Sequence, residues 1–233
     1  MKDEYLERTI GLIGSDNLKL IKDKRIAVFG LGGVGGTALL ALARTGFEHF
    51  LIVDFDVVSP SNLNRQILYF EDDLGKDKAE CAKNHLLRID KSLDVLTLEV
   101  KVDENIDKAL DEYKIDFIID AIDDVSGKVA LAKYSSHKDI PTIISLGMAN
   151  RLDPSKVNIE RLDKTTMDPL AKKVRYEFKK EGIDTKKIYA VVSKEEAIKD
   201  GNKLNSIITV PSSSGLYIAY FVLSYFINKK EGI

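Results

Sequence analysis

Apolar positions along this chain fall into two rhythms. Runs at 25–29 (RIAVF), 50–53 (FLIV), 95–102, 117–122 and 140–146 are four to eight residues long and rich in Ile and Val, which predicts strands. Between them, 37–45, 75–89, 106–113 and 128–137 read as helices; in 75–89 the apolar or small residues fall at 79, 82, 86 and 89. Strands alternating with helices predict βαβ units and a doubly wound, mostly parallel α/β sheet over about residues 20–150. After Met148 the rhythm changes. Asp153-Pro154 marks a turn, 157–162 (VNIERL) alternates as an antiparallel strand, 169–181 is a charged helix and 188–193 a short strand. Pro211 and Ser212 to Ser214 then lead into a final apolar helix, with a serine expected as its N-cap. The expectation is one domain over 1–233, with a nucleotide-binding part at about 20–150 and a substrate or dimer part at 151–233. Only about a dozen apolar residues are left from 216 to 227, against the ~20 of a membrane span, so no membrane is expected and this helix reads as buried or dimer-facing.

Composition narrows the classes. The 233 residues are 44% hydrophobic and 31% charged, enough for a packed core. A net charge of −2 excludes nucleic-acid binding through bulk positive charge, though a local basic patch is compatible with it. One cysteine, Cys81, excludes an internal disulfide or a cysteine-based zinc site, and its Ala79 and Ala82 neighbours mark it as a packed residue. The N-terminus (MKDEYLERTI) carries charge where a signal peptide has an apolar run, so the expected location is the cytoplasm. His49, His85 and His137 have no metal-ligand spacing. Tyr217, Tyr220, Phe221, Tyr225 and Phe226 fall at helical spacing and read as core or subunit interface. Charge is placed unevenly: nine acids against two lysines from 103 to 124, and seven bases against three acids from 170 to 187.

The chemistry begins at Gly30-Leu-Gly32-Gly33-Val-Gly35-Gly36, between the first strand and a helix. Such glycines let backbone N–H groups approach a phosphate at a helix N-terminus. Asp54 closes the second strand nineteen residues after Gly35, where an acid can hold a ribose hydroxyl. Alone this pattern means a nucleotide, with NAD the default. The next segment, DFDVVSPSNLNRQ, is a polar loop containing Asn62 and Arg65, and Lys78 follows thirteen residues after Arg65 at a helix start (GKDKAE). Two cations here suit phosphoryl chemistry, because attack of a carboxylate on an α-phosphate builds charge and expels pyrophosphate. Asp123, with Asp120 and Asp124 nearby, is read at the end of the fourth strand, where a carboxylate can hold Mg²⁺ against phosphates. The plain alternatives are surface charge for Arg65 and Lys78 and a helix cap for Asp123.

GLGGVGG, DFDVVSPSNLNRQ, GKDKAE and DAIDD resemble the adenylating domain shared by ubiquitin-activating enzymes and the sulfur-carrier adenylyltransferases. The resemblance implies ATP as cosubstrate, with Gly30, Gly32, Gly33 and Gly35 along the triphosphate and Asp54 on the ribose. Asn62, Arg65 and Lys78 would contact phosphates, Asp123 would serve Mg²⁺, and Arg8 would reach a partner subunit's site in a homodimer. Sulfur-carrier enzymes usually hold zinc with two CxxC pairs and often use a catalytic cysteine, both absent here. SLGMAN (145–150), RLDP (151–154) and TMDPLAKKVR (166–175) resemble instead the tRNA threonylcarbamoyladenosine dehydratase branch. That branch implies adenylation of the threonyl carboxylate of the modified nucleoside, then ring closure with loss of AMP and no protein nucleophile. Lys172, Lys173 and Arg175, with Lys179 and Lys180, would then meet tRNA, and a sulfur-transfer or other accessory protein is a further candidate partner. Longer members of the branch extend beyond the apolar helix, so no tRNA-holding extension is expected here. Activation of a ubiquitin-like carrier's C-terminal glycine stands as the alternative, an NAD(P)-dependent oxidoreductase as a third reading, and an RNA-binding or scaffold protein with an inactive nucleotide fold as the non-enzymatic one.

Overall fold

The computed structural model describes residues 4–198, 201 and 203–227. Met1 to Asp3, part of the charged N-terminal segment read above, lie outside them. Two helices the sequence pattern did not predict come first, α1 (Glu7–Ile13) and α2 (Ser15–Lys22). They are followed by β1 (Arg25–Phe29), α3 (Gly35–Thr45), β2 (His49–Val53), α4 (Lys78–Leu87), β3 (Asp94–Leu98), α5 (Ile106–Leu110), β4 (Phe117–Asp120), α6 (Val125–Lys138) and β5 (Thr142–Ser145). The remainder is β6 (Val157–Arg161), α7 (Pro169–Lys180), β7 (Tyr189–Ser193) and α8 (Thr209–Ile227). All seven strands join one sheet in the order β3-β2-β1-β4-β5-β7-β6, parallel throughout except for the antiparallel β6–β7 pair.

The central strands β1, β2 and β4 are apolar at all but one position each because both faces of the sheet are covered there. Ile26, Val28, Phe50 and Ile52 point into a core shared with α2, α3, α4 and α8. Ala27, Phe29, Leu51 and Val53 point to the opposite face, under α5 and α6, and α7 continues that layer over β5 and β7. The sheet order turns at β1, whose neighbours are β2 and β4. Ligands bind at such a reversal, in the crevice beyond the carboxyl ends of the strands.

Several predicted boundaries move, for reasons outside their own segments. β3 stops at Leu98 rather than Val102 because it is an edge strand and its partner β2 ends opposite it, at Val53. β4 ends at Asp120, so Asp123 lies three residues beyond the strand, in the connection to α6. The cap of α6 is Asp124, whose carboxylate accepts the Gly127 N–H. A serine does not cap the last helix: α8 starts at Thr209, and the Ser212 N–H already donates to Ile208 O at 3.0 Å. Pro211 falls in the first turn, where a missing N–H costs nothing. By length and composition α8 is apolar enough to cross a membrane. Here Val210, Ile218, Val222 and Phe226 on one side of it are buried in the core against the sheet and α3.

Candidate active site

A cleft of about 430 Å³ opens at the carboxyl ends of β1, β2 and β4. Gly30, Gly32 and Gly33 form one wall, Asp54 with Phe55 and Asp56 a second, Ala121 to Asp124 a third, and Asn62, Arg65, Gln66 and Lys78 face into it. Gly30 has φ +84°, and a Cβ there would lie 2.8 Å from Ala121 O, so the turn needs glycine to pass beneath the β4 loop. A Cβ on Gly33 would come within 3.0 Å of Arg65 O. The loop therefore offers bare backbone toward the cleft, which is the requirement for cradling phosphates. Gly35 opens α3 directly behind it.

Asp54 is buried, and its Oδ2 accepts the Leu31 N–H at 2.6 Å while Oδ1 accepts the Asp56 N–H at 2.8 Å. These bonds tie the end of β2 to the glycine loop. Burial holds its carboxyl above the ordinary value, against the pull of the two N–H groups and of Lys78. Asn62 is buried and spends its Oδ1 on the Ser59 N–H at 3.0 Å, which shapes the polar loop. Arg65 is half-buried and donates to Ser61 O at 2.6 Å and to Asn64 Oδ1 at 3.0 Å. Lys78 reaches the cleft because 56–58 and 75–78 pair as short extended segments: the Val58 N–H donates to Lys76 O, and the Lys78 N–H to Asp56 O at 3.0 Å. Its Nζ then lies 2.8 Å from Asp56 Oδ2.

Asp123 and Asp124 are exposed at the mouth of the cleft. Among the described residues no three His, Cys, Asp or Glu side chains gather into a metal cluster. Asp120 turns away from the cleft, with Oδ1 accepting Lys128 Nζ at 2.9 Å in the core. Cys81 is buried, its thiol pushed up to about 11 by burial and then by the charge of Asp73, which leaves it inert as a nucleophile. Arg8 is exposed on α1 and does not line its own chain's cleft. On α7, Lys172 and Lys173 are exposed, while Arg175 is half-buried and donates through Nη1 to Thr165 Oγ1.

Sequence reasoning assigned no role to Asp56, Gln66 or Lys101. All three line the cleft, and the Gln66 side chain is buried there with Oε1 unpaired. For Asp56 there was a signal, since it is the second acid of Asp54-Phe55-Asp56 and shares a polar loop with the predicted phosphate ligands. Nothing local marked Lys101.

The sequence profile of the ThiF family matches residues 6–192. The chain belongs to the ThiF family. Within it, the tRNA threonylcarbamoyladenosine dehydratase of Bacillus subtilis is 37% identical over 186 residues, covering 80% of this chain and 73% of the relative. The crystal structure of E. coli tRNA N6-threonylcarbamoyladenosine dehydratase, TcdA, in complex with ATP superposes with a TM-score of 0.92 at 30% identity, covering 98% of this chain and 96% of that one. The molybdopterin-synthase adenylyltransferase of Haemophilus influenzae matches less of the chain, 33% identical over 130 residues, or 55% of this chain and 52% of the relative.

Proposed function

We propose that this ThiF-family protein is an ATP-dependent tRNA threonylcarbamoyladenosine dehydratase. What carries the reading is the near full-length agreement with the ATP complex of TcdA, joined to a cleft whose glycine loop, Asp54, Arg65 and Lys78 suit a nucleoside triphosphate. The modified nucleoside's threonyl carboxylate attacks the α-phosphate of ATP and pyrophosphate departs. An internal nucleophile of the modification then attacks the acyl carbon, closing the ring and expelling AMP, a net loss of one water. Lys78 and Arg65 neutralise the charge that develops on the phosphates, and Asp54 orients the ribose. No protein nucleophile enters, in keeping with the buried Cys81. Asp123, with Asp124 beside it, would hold Mg²⁺. A site with few protein ligands fits that ion, which keeps several waters and takes its remaining oxygens from substrate phosphates. Bound there, it would supply further neutralisation of the leaving pyrophosphate.

The proposal extends to the assembly. α8 leaves Leu216, Tyr217 and Tyr220 exposed opposite its buried stripe, an apolar face that a second copy of the chain would cover, and Arg8 would then enter the partner's cleft. The tRNA would meet Lys172, Lys173 and the neighbouring bases of α7, in the cytoplasm, with or without an accessory sulfur-transfer protein.

Mass spectrometry of tRNA carrying threonylcarbamoyladenosine, after incubation with the protein, ATP and Mg²⁺, tests the reaction. The expected result is loss of one water from that nucleoside, with AMP formed in step. Bound ATP with an unchanged nucleoside would overturn the reading in favour of a carrier-protein substrate.

A further inference from the structure

Tyr176 is 67% exposed, more than any other aromatic side chain among the described residues. It lies in the middle of α7, and its helix-surface neighbours at −4, −3, +3 and +4 are Lys172, Lys173, Lys179 and Lys180. All four are exposed. Only Lys180 pairs within the helix, with Glu177 at a long 3.6 Å. The helix itself accounts for only part of this arrangement. Lys179 and Lys180 lie in the last turn, where the dipole favours cations, but Lys172 and Lys173 follow directly on the first turn, where it gives them no support, and Arg175 repels Lys172 and Lys179 at three and four residues. An exposed aromatic ring also forgoes the burial that would stabilise it.

The ring of charge is complementary to a polyanion, and the aromatic face at its centre is complementary to an unstacked base. Both together describe single-stranded nucleic acid, where bases stack on aromatic side chains while lysines hold the flanking phosphates. α7 also connects with the cleft. A groove of about 960 Å³ is walled by Leu170, Lys173 and Glu177 of α7 and ends on Asp123 and Asp124, which line the nucleotide cleft as well. Asp103, Glu104 and Asp107 line this groove as well, and with Asp123, Asp124 and Glu177 they outnumber its two lysines, Lys133 and Lys173, so its charge disfavours phosphates and favours an RNA backbone on the outward face that carries Tyr176.

We infer that Tyr176 is a base-stacking platform for an unpaired nucleotide of the tRNA substrate, with Lys172, Lys173, Lys179 and Lys180 gripping the adjoining phosphates. The inference rests on the dehydratase reading and names the surface that reading leaves unspecified. The chain has no tryptophan, so Tyr176→Trp creates a single fluorescent reporter at the contact. Substrate tRNA is expected to quench it, whereas fully paired duplex RNA of equal charge, or anionic phospholipid vesicles, leave it bright. Tyr176→Ala is expected to weaken tRNA binding by roughly ten-fold or more and to raise KM for tRNA with kcat and ATP binding unchanged. Tyr176→Phe, which keeps the ring, retains wild-type binding. Equal quenching by duplex RNA or by vesicles, or wild-type tRNA affinity in Tyr176→Ala, would overturn the assignment. Should the wild-type enzyme dehydrate its tRNA while Tyr176→Ala does so with unchanged KM, the platform falls and the dehydratase stands. If the wild-type protein neither binds nor dehydrates tRNA, both fall.

Discussion

Two lysines reach aspartates on either side of β1, at almost the same distance. Lys78 Nζ lies 2.8 Å from Asp56 Oδ2, and Lys128 Nζ 2.9 Å from Asp120 Oδ1. Their surroundings differ. The Lys78 side chain is 6% exposed but that of Asp56 is 50% exposed, whereas those of Lys128 and Asp120 are 0% and 1% exposed. Asp56 is solvated whether or not Lys78 stays with it, so turning the buried Lys78 ammonium from Asp56 to a phosphate in the cleft strands no buried carboxylate and exchanges one anionic partner for another. Lys128 has no such freedom. Burial pushes the Asp120 carboxyl upward and the Lys128 ammonium opposes that push. Asp120 Oδ1 also accepts the Ile122 N–H at 3.2 Å, and Oδ2 is buried without a partner. The inner pair therefore fixes the turn that leads to Asp123, and the outer pair keeps a cation available for chemistry. The same two residue types serve as a brace in one place and as a ligand in the other, and solvent access decides which.

The comparison breaks first at Lys128. Lys128→Ala leaves a carboxylate uncompensated in the core and is expected to cost ~3–5 kcal/mol. In a chain of this size that is a fall in Tm on the order of 10 °C, read by calorimetry. Joining Asp120→Leu to Lys128→Met removes both charges and should restore most of the loss; a Lys128→Ala protein as stable as wild type would show the brace to be ornamental. Lys78→Ala is expected to act the other way, lowering the dehydration rate by ~100-fold or more while moving Tm only by ~2–4 °C. Rate assays beside melting curves separate these two cases. The smallest effect belongs to the α6 cap. The Ser126 hydroxyl, then the Gly127 N–H, hold the Asp124 carboxyl below its ordinary value. A depressed folded-state value means stabilisation that is fully present above the ordinary carboxylate pKa of ~3.9 and is lost as pH falls through the lower, folded one. Asp124→Ala should therefore cost ~1 kcal/mol at neutral pH, a gap that holds down to about pH 4 and closes only as pH falls further, through the depressed folded-state value. A gap that stays constant well below about pH 4, through the depressed folded-state value, would mean the carboxylate's charge contributes nothing to the cap.

Much of the nucleotide half was legible from residue order alone. RIAVF, the glycine loop, FLIV and Asp54 each carry their structure within a few residues, because apolar period, glycine turns and spacing are local properties. The doubly wound class followed from their alternation, and the cleft from the rule that such sheets bind ligands beyond their carboxyl ends. What remained was decided between segments distant in sequence. β3 ends where its partner ends, α8 begins ahead of its serines, and Asp123 lies past the strand it was expected to close. Lys78 meets Asp56 only because 56–58 and 75–78 pair. Arg175, read as a surface base, turns to Thr165, while Lys172 and Lys173 stay in solvent. Lys128 falls on the buried side of α6 because β4 brings Asp120 beneath it. The sequence by itself determined which residue types could handle a nucleotide and in what order along the chain. The tertiary structure decided which charges are buried and which stay free to move, since desolvation and pairing depend on neighbours that no local pattern specifies.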